Sequence, residues 1–155
     1  MLVMHFAKLA EISITGMHVG ECASCMVDAD HFVKFVVPAT SRLGQAVGPI
    51  RFHSCGRSDH LVEACAEITA IASLDVGGET SVARIREVFG RAFPVSIAPL
   101  VADLSARSPR GILAWFERVA RENDGGNLTI GYHLEPHYQL GNLRALQGAV
   151  AEAGR

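Results

Sequence analysis

The segment GPIRFHSCGRSDHLVEA (48–64) places an imidazole, His53, and a thiol, Cys55, two residues apart where an apolar run ends. If that run is a strand, positions i and i+2 point to the same side and the two groups share a face. A soft thiol beside an imidazole is a pair of potential metal ligands. Other residues of ligand or acid–base type sit where further strands would end: His18, Glu21 and Cys22 early in the chain, Asp75 in its middle, and Tyr132, His133 and Glu135 late in it.

The other cysteines need separate weighing. Cys22 and Cys25 form a Cys-x-x-Cys, but no second pair follows at zinc-ribbon spacing. Cys65 lies mid-helix beside Leu61, Val62 and Ile68 and reads as a small core residue. The chain is apolar enough to fold without staples and shows no export signal, so free thiols and a cytoplasmic protein are expected.

Elements must position these residues. The 155 residues are 49% hydrophobic and 19% charged, enough for one domain (1–155) with a sizeable core. A net charge of −2 without a basic stripe predicts no nucleic-acid partner, and no apolar run reaches membrane-spanning length. Strands are predicted at 11–17, 49–55, 71–76, 93–99 and 127–132. Helices are predicted at 29–47, with a kink at Pro38, and at 58–69, 80–90, 108–123 and 140–153. Ser58 and Ser108 stand at cap positions, Pro109 at a first helical position and Gly90 at a helix end.

Strands and helices that alternate, with apolar strands, make an α/β fold on a parallel sheet, because each parallel return needs a crossover. A closed (β/α)8 TIM barrel normally takes about 250 residues, so this chain holds about five strands of a partial one. In such folds sites form at the carboxyl ends of the strands, where His53, Cys55 and their companions fall. Asp75 either satisfies loop amides before VGGET, holds a substrate amine or hydroxyl, or orients a histidine ligand. GGETS (77–81) reads as a tight turn rather than an anion site. His31, His60 and His137 read as solvated, Trp115 as helix packing, and His5 belongs to an unassigned N-terminal stretch.

The segment DADHFVKFVVPATSRLGQAVGPIRFHSCGRSDHLVEA, the SLD at 73–75 and the ending GYHLEPHYQLGNLRAL resemble the carboxyl-terminal half of the uroporphyrinogen decarboxylase superfamily, which includes zinc-dependent methyltransferases acting between corrinoids and thiols. The resemblance spans about residues 11–153. It implies the later strands of a barrel and, in the methyltransferase branch, a zinc ion held by His53, Cys55 and one further ligand. The family's last cysteine matches Tyr132, so the third ligand is sought among His133, Cys22 and Glu21, in that order. Asp75 and Tyr132 are the candidate catalytic residues.

Zinc suits this donor set, and an exchangeable fourth position would keep a substrate thiol ionised. The resemblance thus implies zinc-dependent methyl transfer from a corrinoid or other donor to a thiol. Decarboxylation of a porphyrinogen is the alternative, and a non-catalytic half-barrel a third reading. An unclosed sheet predicts association, with a second copy or with a separate N-terminal half, to cover open edges and apolar surface.

Overall fold

The computed structural model describes residues 16–132 and 134–154. Five parallel strands lie side by side in sequence order: β1 (Met17–Gly20), β2 (Ile50–Ser54), β3 (Ile71–Gly77), β4 (Val95–Ala98) and β5 (Leu128–Ile130). Helical segments connect them. This is a partial (β/α)8 barrel, an open parallel sheet of the predicted class. The first strand begins at Met17, where the predicted one ends, so His18 lies within it; positions 11–15 of the predicted strand, and His5, are outside the described residues.

The first connection is one continuous helical run, α1, made of Ala29–His31, a π-helical turn Phe32–Val36, and Val37–Val47. Asp28 caps it by accepting from the His31 amide at 2.9 Å. The irregularity falls just before Pro38, which has no N–H to donate and whose ring crowds the carbonyl four residues back. A wider turn relieves that crowding, with the Val37 amide reaching back to Phe32 O. Thus the kink expected at Pro38 appears as a π-turn.

Four further helices follow, α2 (Val62–Ala66), α3 (Val82–Phe89), α4 (Val101–Ala106) and α5 (Pro109–Asn123), and α6 (Leu140–Ala153) ends the fold. Ser108 caps α5 with Pro109 at its first position, and Gly90, at φ +78°, ends α3, as the sequence predicts. Ser58 is no cap. Its hydroxyl turns inward to Ser54 Oγ at 2.8 Å, and the segment after it starts as a 3-10 turn, Asp59–Leu61.

Alternation along the strands separates two faces. Ile50, Phe52, Leu74, Val76, Val95 and Ile97 are buried and join helix residues such as Phe32, Leu61, Ile85, Ile112 and Leu146 in one core. The opposite face stays open, and its strand residues are polar or small. One row crosses all five strands in register: Gly20, His53, Asp75, Ser96 and Thr129. The strand residues of the open face are therefore polar or small, and apolar side chains such as Pro99, Leu100 and the exposed Val101 border it.

Among the described residues two features favour association: exposed apolar side chains such as Met26 and Val101, and the sheet edges β1 and β5, each with a row of backbone groups facing away from its neighbour. The purified chain is expected to run as a dimer or larger species in light scattering, and a monodisperse monomer at all concentrations would refute this. Among the described residues no helix is long and apolar enough to cross a membrane.

Candidate metal centre

Three segments converge at the carboxyl end of β1 and β2. After β1 the chain enters a 3-10 turn, Cys22–Met26, and the Glu21 amide donates to His53 O at 2.9 Å, continuing the sheet ladder by one step. This lays Cys22 beside the end of β2. Cys55 Sγ is 3.4 Å from Cys22 Sγ and 3.0 Å from His53 Nε2. Cys22, His53 and Cys55 each direct one ligand atom into a cluster whose atoms lie within 4.8 Å of one another. That span is one a single ion with bonds of about 2.0–2.3 Å can bridge.

The other nitrogen of His53 is buried. Asp75 Oδ2 lies 3.2 Å from Nδ1, at ion-pair distance but off the line of a hydrogen bond. Asp75 belongs to β3, directly in register with His53, and not to the loop after it. Arg51 Nη2 donates to the same oxygen at 2.9 Å and reaches Ser96 Oγ at 3.4 Å. His18 Nε2 stands 3.9 Å from the same oxygen, its ring edge-to-face with His53. The negative carboxylate beside Nδ1 favours a proton on that nitrogen, and with the proton there Nε2 presents its lone pair towards the thiols.

The Cys55 loop is set by close backbone approach. Gly56 adopts φ +67°, and a side-chain carbon at Gly77 would come within 2.5 Å of Gly56 N. The end of β3 therefore packs straight against the Cys55–Gly56 turn, and any larger residue at 77 would displace it. Burial, with Cys22 hydrogen-bonded nearby and the charges of Cys25 and Asp75, pushes the Cys55 thiol up to about 11. Without a metal it is protonated at neutral pH. Cys65 is buried in the core as predicted, and burial alone pushes it up to about 12.

The structure sorts the predicted site residues. It brings Cys22 to His53 and Cys55; the Glu21 carboxylate is in neither of the ligand groups found among the described residues, and His133 lies outside those residues. Tyr132 lines a groove of about 690 Å³ that runs from Cys55 across the open face, past Asp75, Ser96 and Thr129 to Tyr138. Its hydroxyl accepts from Gln147 Nε2 at 3.4 Å. Cys25 Sγ turns away to Cys22 O at 3.4 Å. Within the GGETS turn the Thr80 amide donates to Gly77 O at 3.0 Å and the Ser81 amide to Asp59 Oδ1 at 2.7 Å, and just after it the Val82 amide donates to Glu122 Oε2 at 2.8 Å.

Sequence reasoning missed Arg51. Its position two before His53, a charge interrupting PIRFHS, puts it on the ligand face and was a readable signal. The Ser24 and Ser54 hydroxyls, buried under the thiols, gave no such signal.

No protein-family model matches the sequence, and no curated protein matches it. Solved structures do. A methyltransferase from Methanosarcina mazei superposes with a TM-score of 0.70 at 16% identity, covering 99% of this chain and 46% of that one. A fructose-bisphosphate aldolase from Campylobacter jejuni gives 0.50 at 15% identity, covering 96% of this chain and 56% of that one. At such identities the likeness is one of fold, and in fold this chain is similar to a little under half of a methyltransferase.

Proposed function

We propose that the chain is a zinc-binding, methyltransferase-like half-barrel of the uroporphyrinogen decarboxylase superfamily, in which Cys22, His53 and Cys55 hold the metal. The observation that carries this reading is the convergence of two thiols and an imidazole at a strand-end rim, with a carboxylate behind the imidazole. The donors fit zinc. A nitrogen and two sulfurs make three protein ligands, the usual number in a catalytic site that keeps a fourth position open. Bound zinc would keep a substrate thiol ionised at neutral pH, ready to accept a methyl group from a corrinoid, free or on a partner protein, or from another donor.

The remaining work falls to this chain's own side chains. Asp75 takes the Nδ1 side of His53 and holds the ring with Nε2 towards the cysteines. Arg51 donates to the same Asp75 oxygen and holds the carboxylate in place. Tyr132, Tyr138 and Thr129 flank the groove along which a substrate would lie. Decarboxylation of a polycarboxylate ranks lower, because Arg51 is the one Lys or Arg among the described residues lining the groove, and Asp75 already pairs with it.

Untagged protein is expected to carry about one zinc per chain. After exchange to cobalt(II), addition of a small thiol such as 2-mercaptoethanol should shift the visible bands as it enters the fourth position. A spectrum indifferent to added thiol would mean a closed, structural site, and would defeat the catalytic reading.

A further inference from the structure

Between the ligands sit two serines that the metal reading does not use. Ser24 lies between Cys22 and Cys25, and Ser54 between His53 and Cys55. Both are buried, at 4% and 3% exposure, directly beneath exposed thiols. Ser24 Oγ donates towards Glu21 O at 2.6 Å and Ser54 Oγ at 3.0 Å. Ser54 Oγ in turn meets Ser58 Oγ at 2.8 Å, and Ser58 is 4% exposed. The string ends on Thr80, fully buried, which accepts from the Ser58 amide at 3.0 Å and donates to Gly56 O at 3.1 Å.

We propose that Ser24 and Ser54 are positioning residues: their buried hydrogen bond is the latch that holds the Cys22 turn against the His53–Cys55 strand end and so assembles the three-ligand cluster. Resting on the zinc reading for its purpose, the latch itself is a statement about the chain alone. The Cys22 turn and β2 come from segments 30 residues apart. Besides the Glu21 amide on His53 O and the thiol pair itself, the Ser24–Ser54 bond joins the turn to the strand end. Ser58 and Thr80 fasten the far side of the same loop, so Cys55 cannot follow Cys22 if the turn swings outward. A buried hydroxyl bond of this kind is broken at a cost when one partner is lost, because the other is left unpaired. Outer partners that orient ligands typically change metal affinity 10- to 100-fold.

The test has two arms. In the first, Ser24→Ala and Ser54→Ala are titrated with cobalt(II), and each is expected to weaken binding about 10-fold, the double variant little more than either single, while Ser24→Thr, which keeps a hydroxyl, recovers most of it. In the second, needing no metal, Cys22 and Cys55 report their own distance. In a Cys25→Ser, Cys65→Ser background, diamide should oxidise the two thiols to a Cys22–Cys55 disulfide, the diamide being reduced to its hydrazine by the two electrons and two protons released. Ser24→Ala should slow that cross-link about 10-fold at unchanged peptide reactivity of Cys22. Should the parent bind no cobalt, the zinc reading fails and the cross-linking arm alone decides the latch. Equal cross-linking rates in parent and Ser24→Ala overturn it, as does an alanine variant that loses thermal stability yet keeps the parent's cobalt affinity. If Ser54→Ala does not fold, Ser24→Ala and Ser24→Thr, on the rim turn, carry the test.

Discussion

Replacing Cys55 with serine is expected to lower zinc affinity by about 10³-fold. Zinc held by such ligand sets is worth roughly 10–16 kcal/mol at neutral pH, and removing one of three ligands forfeits about a third of that, or about 4 kcal/mol. Cys22→Ser should do the same, because the structure brings Cys22 Sγ to 3.4 Å from Cys55 Sγ. His133→Ala discriminates. If Cys22 completes the site, zinc stays; if zinc is lost with His133 and kept without Cys22, the third ligand is the one the sequence ranks first. Competition titration against a chromophoric chelator measures all three variants. Retention of parent affinity by Cys55→Ser would remove the metal from this rim altogether.

The same site fixes a pH dependence. A Cys55 thiol pushed up to about 11 by its burial and its thiol neighbour is protonated at pH 7, so zinc must displace that proton to bind. Affinity therefore rises with pH, by about tenfold per unit from this one group, throughout the range below about 11. The direction follows from the proton that the thiol gives up on binding, and the upward shift extends the rise to about 11 instead of ending it near the ordinary thiol value.

How far the sequence reveals this arrangement depends on the kind of signal each part carries. Five strands and the longer helices are legible because burial on one face forces a period: PIRFHS alternates, and SPRGILAWFERVAREN carries its own cap, first-turn proline and apolar stripe. Alternation also places His53 on the open face. Short elements carry no period. The six-residue α4 and the 3-10 turn at Cys22–Met26 are too brief to repeat, and both went unread. The strand predicted at 11–17 meets β1 at Met17, and its positions 11–15 lie outside the described residues, while the continuation of β1 to Gly20 carries too short an alternation to be read. Lateral register is the least visible. Nothing in the string says that Asp75 stands beside His53 rather than above it, since that depends on a bulge between Ile50 and Arg51 that shifts β3 by one residue. Asp75 thus kept three readings, one of them the histidine-orienting role, and Cys22 ranked below His133; strand pairing sets Asp75 beside His53, and the 3-10 turn after β1 brings Cys22 there.

Arg86 shows the same limit with a larger consequence for stability. In TSVARIREVFG it reads as one more surface charge, yet it is buried and its fork is filled. Nε and Nη2 donate to Asn123 Oδ1 at 3.0 and 2.8 Å, Nη1 to Gly90 O and Phe93 O at 3.2 and 2.6 Å, and Nη2 to Asn127 O at 2.7 Å. Asn123 closes the circuit by donating to Gly126 O at 2.8 Å, and Gly126 lies so flat on the guanidinium that a side-chain carbon there would fall 2.5 Å from Nε. One side chain on α3 thereby ties the end of α5 to the approaches of β4 and β5. Removing it strands the Asn123 amide oxygen and the carbonyls of Gly90 and Phe93, while Asn127 O keeps the Val95 amide at 3.0 Å, and a stranded buried polar group costs about 1–3 kcal/mol. Arg86→Ala is accordingly expected to destabilise by about 3–5 kcal/mol, a large part of the roughly 5–15 kcal/mol that holds a domain together. The melting temperature should fall by about 10 °C or more. Lysine should rescue little, because a point charge with three donors on a flexible stem cannot fill a planar fork that meets four oxygens. Burial already lowers the guanidinium's hold on its proton, and only neutral oxygens offset the buried charge. Chemical denaturation of Arg86→Ala and Arg86→Lys measures the effect, and a loss below about 1 kcal/mol for alanine would show that water or a rearranged loop takes over those acceptors.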